Sequence, residues 1–95
     1  MRNEWRTQRI TAVDLANGRI RIPAGEKEPF PQVKDRLTIR FLGERLDDIA
    51  WDPRCGPDRD RSGVLRINRR LRELVGIDEV MVVRVIDGVV DIRRE

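Results

Sequence analysis

Residues 17–23 read NGRIRIP, and the alternation of apolar and charged residues within them indicates a β-strand. Ile20 and Ile22 would point inward and the two arginines outward, because successive side chains of a strand lie on opposite faces. The Asn-Gly pair before the strand is a turn signal, and Pro23 ends the strand because proline has no N–H for a sheet ladder. The same alternation dominates the chain, so the sequence predicts a mainly β protein.

Six further strands are predicted in the same way, at residues 10–13, 37–41, 45–51, 64–67, 79–86 and 89–93. The last two flank Asp87–Gly88, which is a strong hairpin signal. Helical structure is predicted only as a single turn within 24–30 and as a helix over Arg69–Val75, with Asn68 as its N-cap. About seven strands with so little helix predict one barrel or sandwich domain over residues 1–95.

The basic residues cluster in two segments, although the whole chain has a net charge of only +3. Residues 1–22 carry five arginines against two acidic residues, and residues 52–72 carry seven arginines against three. The remaining segments are slightly acidic, and all but two of the basic side chains are arginine. Arginine binds phosphate and the guanine edge bidentately, so the pattern predicts a side that faces a polyanion. A general preference for arginine codons would explain the arginine excess but not this clustering.

A long loop is predicted over residues 52–63, which contain two prolines, two glycines and six charged residues. Loops of this length in a small domain are usually functional or disordered. Trp51 precedes this loop and, like Trp5, is interpreted as a core residue rather than a base-stacking platform.

Several classes of protein are disfavoured by what the sequence lacks. It contains one cysteine, Cys55, and no histidine, so a disulfide, a cysteine-based zinc site and histidine-based acid–base catalysis are not expected. The first residues do not form a secretory signal and no apolar run could span a bilayer. We therefore expect a cytoplasmic, non-catalytic protein without cofactor, metal or membrane partner.

The stretch Ile10–Pro31, ITAVDLANGRIRIPAGEKEPFP, resembles the opening of the plant B3 DNA-binding domain. There a polar arm leads into a basic strand that ends in Ile-Pro, and a short helix then ends in Phe-Pro. The resemblance continues over 37–51 and over Asn68–Val83. Ser62–Ile67 and Leu71–Leu74 are closer to the DNA-recognition (effector) domains of type IIE-like restriction endonucleases, which share the fold.

This resemblance implies a seven-stranded open pseudobarrel with one or two short helices that grips the major groove of double-stranded DNA like a wrench. The N-arm would comprise Asp14–Arg19, with Arg21 at its base, and the C-arm Asp52–Ser62. It also implies a monomeric, sequence-specific recognition module, with a catalytic domain present if the natural protein is longer.

The candidate DNA-binding residues lie in these arms and at the start of the predicted helix. Asn17 suits adenine; Arg19, Arg54, Arg59 and Arg61 suit guanine; Asp58 and Asp60 suit cytosine N4 or a neighbouring arginine; and Arg69 and Arg70 suit phosphates. The full set is Asp14, Asn17, Arg19, Arg21, Asp52, Arg54, Asp58, Arg59, Asp60, Arg61, Ser62, Arg69 and Arg70.

Each of these residues also has a purely structural interpretation. Asn17 is suited to a turn whatever the function, and Arg21 would suit a solvated strand face. The loop arginines could pair locally with aspartates, and such exposed pairs contribute little to stability. Arg69 and Arg70 would suit an ordinary solvated helix face.

Three other functions compete with DNA recognition by a pseudobarrel. The patterns at Asn17–Pro23 and Gly76–Arg93 echo swapped-hairpin transcription factors of the antitoxin and transition-state-regulator type, although that fold needs only about 45 residues. A small metal-dependent nuclease would need clustered acids and a lysine on adjoining strands, whereas Asp58 and Asp60 lie in a loop. A protein-interaction barrel would use the acidic segment 73–95.

Overall fold

Seven strands and two short α-helices make up the computed structural model, which describes residues 4–54 and 61–95. The strands are β1 (Glu4–Arg6), β2 (Arg19–Ile22), β3 (Asp35–Phe41), β4 (Glu44–Asp52), β5 (Gly63–Arg66), β6 (Met81–Ile86) and β7 (Val89–Arg94). The helices are α1 (Ala12–Asn17) and α2 (Arg69–Leu74), and a 3₁₀ turn covers Ala24–Glu26. These elements confirm the predicted mainly β class. In the described part of the chain, no helix is long and apolar enough to cross a bilayer.

The strands form one sheet in the order β1-β6-β7-β3-β4-β5-β2, which curls into an open half-barrel. Neighbours are antiparallel except for β3 and β7, which run parallel. The two edge strands are β1 and β2, and the chain between them forms α1. Ile10 extends the β1 edge, because its N–H donates to the Glu79 carbonyl at 2.9 Å.

One apolar core fills the inner side of the sheet and follows the predicted alternation. Ile20 and Ile22 are completely buried, and Trp51 lies among them with 1% of its surface exposed. The Trp51 ring stacks on Phe30 at 4.7 Å, and its indole N–H donates to a backbone carbonyl at 2.7 Å. The ring also lies directly over Gly63, where a Cβ would come within 2.2 Å of it. Trp51 is thus a core residue, as the sequence indicates, and it requires glycine at the start of β5.

The strand predicted at residues 10–13 is wrong, because α1 begins inside it. The Thr11 hydroxyl accepts from the Asp14 N–H and the Asp14 carboxylate accepts from the Thr11 N–H, both at 3.0 Å, which is a capping box. This reciprocal pair of hydrogen bonds begins a helix in a segment where the alternation of residues with a period of two predicts a strand. Gly18 ends the helix in the left-handed region with φ 59°, so the Asn-Gly pair forms a helix end rather than a hairpin.

Helix α2 lies where it is predicted, but Asn68 does not cap it with its side chain. Asn68 instead has φ 64° and donates its backbone N–H to the Gly18 carbonyl at 2.7 Å. A Cβ on Gly18 would lie 2.5 Å from the Cα of Asn68, so the two segments touch backbone to backbone. This contact fixes the end of α1 against the start of α2.

Candidate nucleic-acid interface

A buried aspartate on α1 holds two arginines of β2. Asp14 is 1% exposed, and its Oδ1 lies 3.0 Å from Nε of Arg19 and 3.1 Å from Nε of Arg21. Arg21 also donates from Nη2 to Oδ2 of Asp14 at 3.2 Å, so it binds the carboxylate through both oxygens. Because Ile20 and Ile22 face the core, Arg19 and Arg21 lie together on the other face of β2.

The predicted role of Asp14 as a direct DNA contact is corrected by its burial. A carboxylate that accepts from Thr11, Arg19 and Arg21 while shielded from solvent is not exposed to a base edge. Burial raises the pKa of Asp14, but hydrogen bonds from Thr11 and Arg19 and the charge of Arg21 outweigh it, so the pKa lies below the ordinary 3.8. Asp14 is therefore ionised at neutral pH and acts as a positioning residue for the two guanidinium groups.

The cluster carries an excess of positive charge. Two guanidinium groups share the single carboxylate of Asp14, and no other described carboxylate pairs with either of them. Arg19 uses only its Nε–H in the cluster, and no described residue accepts from its two terminal nitrogens. The surplus guanidinium donors suit an external anion.

A third arginine, which the sequence analysis missed, joins this face. Arg66 of β5 lies directly opposite Arg19 in the β2–β5 ladder, and its exposed guanidinium donates to the Asn17 carbonyl at 3.4 Å. Residues opposite each other in an antiparallel pair project to the same face. The alternation of β5 places Arg66 outward, but only the pairing of β2 with β5 brings it beside the N-arm.

The C-arm leaves the sheet at the other end of the same strand pair. Gly63, where β5 begins, lies opposite Ile22, three residue steps from the pair formed by Arg19 and Arg66. At about 3.3 Å per step this places the arms about 10 Å apart along the strands. Ser62 and Arg21 line one cleft, so the end of the C-arm adjoins the base of the N-arm.

The described ends of the C-arm line a second, open cleft. Arg54, Arg61 and Asp52 lie around it, and neither arginine has an ion-pair partner within the described residues. The Asp52 carboxylate accepts from the backbone N–H of Arg54 at 2.9 Å. The candidates Asp58, Arg59 and Asp60 lie outside the described residues.

The helix candidates are engaged in ion pairs. Arg69 pairs with Glu73 at 3.0 Å, and Arg70 pairs with Glu44 and with Glu73. Exposed pairs of this kind exchange easily with a phosphate, so both arginines remain candidates for backbone contacts.

The exposed Asn17 donates its amide to the Val13 carbonyl at 2.9 Å, which leaves the amide oxygen and one N–H for a base edge.

No three Asp, Glu or Cys side chains in residues 4–54 and 61–95 lie close enough together to hold a metal ion. The chain matches no model of a known protein family, and no curated protein matches its sequence. The functional inference therefore rests on the geometry of the described residues.

Proposed function

We propose that this domain binds double-stranded DNA sequence-specifically through the major groove, with the B3-like wrench of an N-arm and a C-arm. It would serve as the recognition domain of a restriction endonuclease or a related protein, in the cytoplasm and without chemistry of its own. The observation that carries the proposal is the arrangement of Arg19, Arg21 and Arg66 on one face of the β2–β5 pair, from which both arms leave the sheet.

The charge and the spacing both support a duplex as the ligand. Arginines held in fixed orientations by a buried carboxylate are suited to bidentate hydrogen bonds, which phosphate and guanine both accept. The arms leave the sheet about 10 Å apart, close to the roughly 12 Å width of the major groove of B-DNA. The major groove of A-form RNA is too narrow for such arms, so DNA is favoured over duplex RNA.

The strand pairing within the sheet supports the competing swapped-hairpin function less than it supports the pseudobarrel. In that class the strand after the Asn-Gly pair would belong to an intertwined dimer. Here β2 pairs over its whole length with β5 of the same chain, and β6 pairs with β7. A domain that completes these ladders alone is suited to act as a monomer.

The test is a selection from random duplexes with the domain as bait, followed by titration of the selected duplex by fluorescence anisotropy. We expect one enriched sequence and an affinity that falls steeply as salt rises, because bound phosphates release counterions. Arg66→Gln should weaken binding to selected and random duplexes alike, whereas Arg19→Gln should weaken the selected duplex more. Absence of binding to any duplex at low salt would refute the proposal.

A further inference from the structure

A cationic cleft lies between the described ends of the C-arm and a segment that belongs to neither arm. The segment Gln32–Lys34, just before β3, forms one side, and Asp52–Arg54 with Arg61 forms the other. The cleft is open and has a volume of about 850 Å³. Lys34 is exposed and, like Arg54 and Arg61, it has no ion-pair partner in the described part of the chain. Among the described residues that line the cleft there are therefore three cations and one carboxylate, that of Asp52.

The backbone on the C-arm side of the cleft is held in a fixed, unusual shape. Arg54 has φ 49°, in the left-handed region that non-glycine residues seldom adopt. The Asp52 carboxylate accepts a hydrogen bond from the backbone N–H of Arg54. The Lys27 ammonium donates to the carbonyl of the buried Pro53 at 2.9 Å. Backbone strain of this kind persists only where the surroundings impose it, and it occurs often at ligand-binding sites.

We infer that this cleft binds a phosphate of the DNA backbone and that Lys34 is a DNA contact outside both arms. The inference rests on the proposed function. The two unesterified oxygens of a phosphodiester accept hydrogen bonds from several N–H donors at once, and no aromatic ring lines the described part of the cleft for base stacking. Arg61 lines this cleft and the next residue, Ser62, lines the cleft that includes Arg21, so the inferred phosphate site adjoins the base of the N-arm.

The first experiment compares the salt dependence of binding for Lys34→Gln and wild type on a random-sequence duplex. We expect Lys34→Gln to weaken binding about five- to tenfold at low salt and to reduce the slope of log K against log salt by about one. Lys34→Arg should restore both. Arg40→Gln is the control, because Arg40 is also exposed without an ion pair among the described residues and lies at the far end of β3.

The second experiment locates the phosphate on the selected duplex. The phosphates of the duplex are replaced one at a time by uncharged methylphosphonate linkages. At one position, the loss of wild-type binding affinity should equal the loss of affinity caused by Lys34→Gln. At that position the substitution should cost Lys34→Gln nothing further.

The outcomes separate the inference from the proposed function. If wild type binds duplex DNA but Lys34→Gln keeps the wild-type affinity and slope, the cleft assignment is overturned while DNA recognition stands. Additive losses at every methylphosphonate position would also overturn it. If wild type binds no duplex, both proposals are wrong.

Discussion

Removal of the Asp14 carboxylate should destabilise the domain and also lower its sequence specificity for DNA. Asp14→Ala deletes half of the capping box on α1 and the bonds to Arg19 and Arg21. The lost cap costs about 1 kcal/mol. Hydrogen bonds to a charged group contribute about 1.5–3 kcal/mol, discounted here because the two arginine side chains are 19% and 34% exposed. We therefore expect a loss of about 2–3 kcal/mol in the free energy of unfolding.

The matched control for Asp14→Ala is Thr11→Ala, which removes the hydroxyl half of the same capping box and leaves the arginines paired. It should cost only about 1 kcal/mol. Urea titration followed by far-ultraviolet circular dichroism measures both values. If the two variants lose the same stability, the contacts of Arg19 and Arg21 with Asp14 contribute nothing and the reasoning is refuted.

The same variant has a separate signature in DNA binding. Asp14→Ala removes a negative charge beside the proposed interface and releases Arg19 and Arg21 from their fixed orientations. Affinity for random duplexes should therefore rise by a few-fold, while discrimination in favour of the selected duplex falls. An unchanged ratio of the two affinities would show that Asp14 does not position the arginines for recognition.

Three further predictions concern acid, packing and the C-arm. Because the pKa of Asp14 is lower in the folded state, its stabilisation is present above its ordinary value of 3.8 and is lost as the pH falls through the folded-state pKa. In thermal melts, the melting temperature of Asp14→Ala should therefore fall less steeply with falling pH than that of wild type. An identical fall in both proteins would contradict this. Gly63→Ala should cost about 1–3 kcal/mol or more because its Cβ would enter a tryptophan ring, whereas Gly25→Ala, with no atom within 4 Å, should be nearly neutral in denaturant titration. Replacing Arg59 and Arg61 together with alanine should relax sequence preference in a repeated selection, and an unchanged preference and affinity would refute the C-arm assignment.

The strands with a clean period of two are predictable because each buries one face. Ile20 and Ile22 are completely buried, as their alternation requires, and the β6–β7 hairpin turns at Asp87 and Gly88. The helix at Ala12 is missed because one signal competes with another. The apolar residues of 10–13 suit a strand, but the capping bonds between Thr11 and Asp14 begin a helix there.

The candidate interface is only partly predictable, because side chains meet according to strand pairing. Arg19 and Arg21 can be assigned to one face from their spacing alone. Their shared attachment to Asp14 requires α1 to fold back onto β2, and no local pattern specifies that contact. Lys34 lies in residues 23–51, where five basic residues are outnumbered by six acidic ones, so charge clustering along the chain does not single it out.

The sequence alone determined the period of the strands, the placement of arginines and isoleucines on opposite faces of β2, and the concentration of positive charge in two segments. These properties depend on neighbouring residues, whose side-chain directions follow from backbone geometry. The tertiary structure decided which strands are neighbours, so it placed Arg66 beside Arg19 and Lys34 beside the C-arm. Sheet order is set by the burial of the whole apolar core around Trp51, which no single segment can specify.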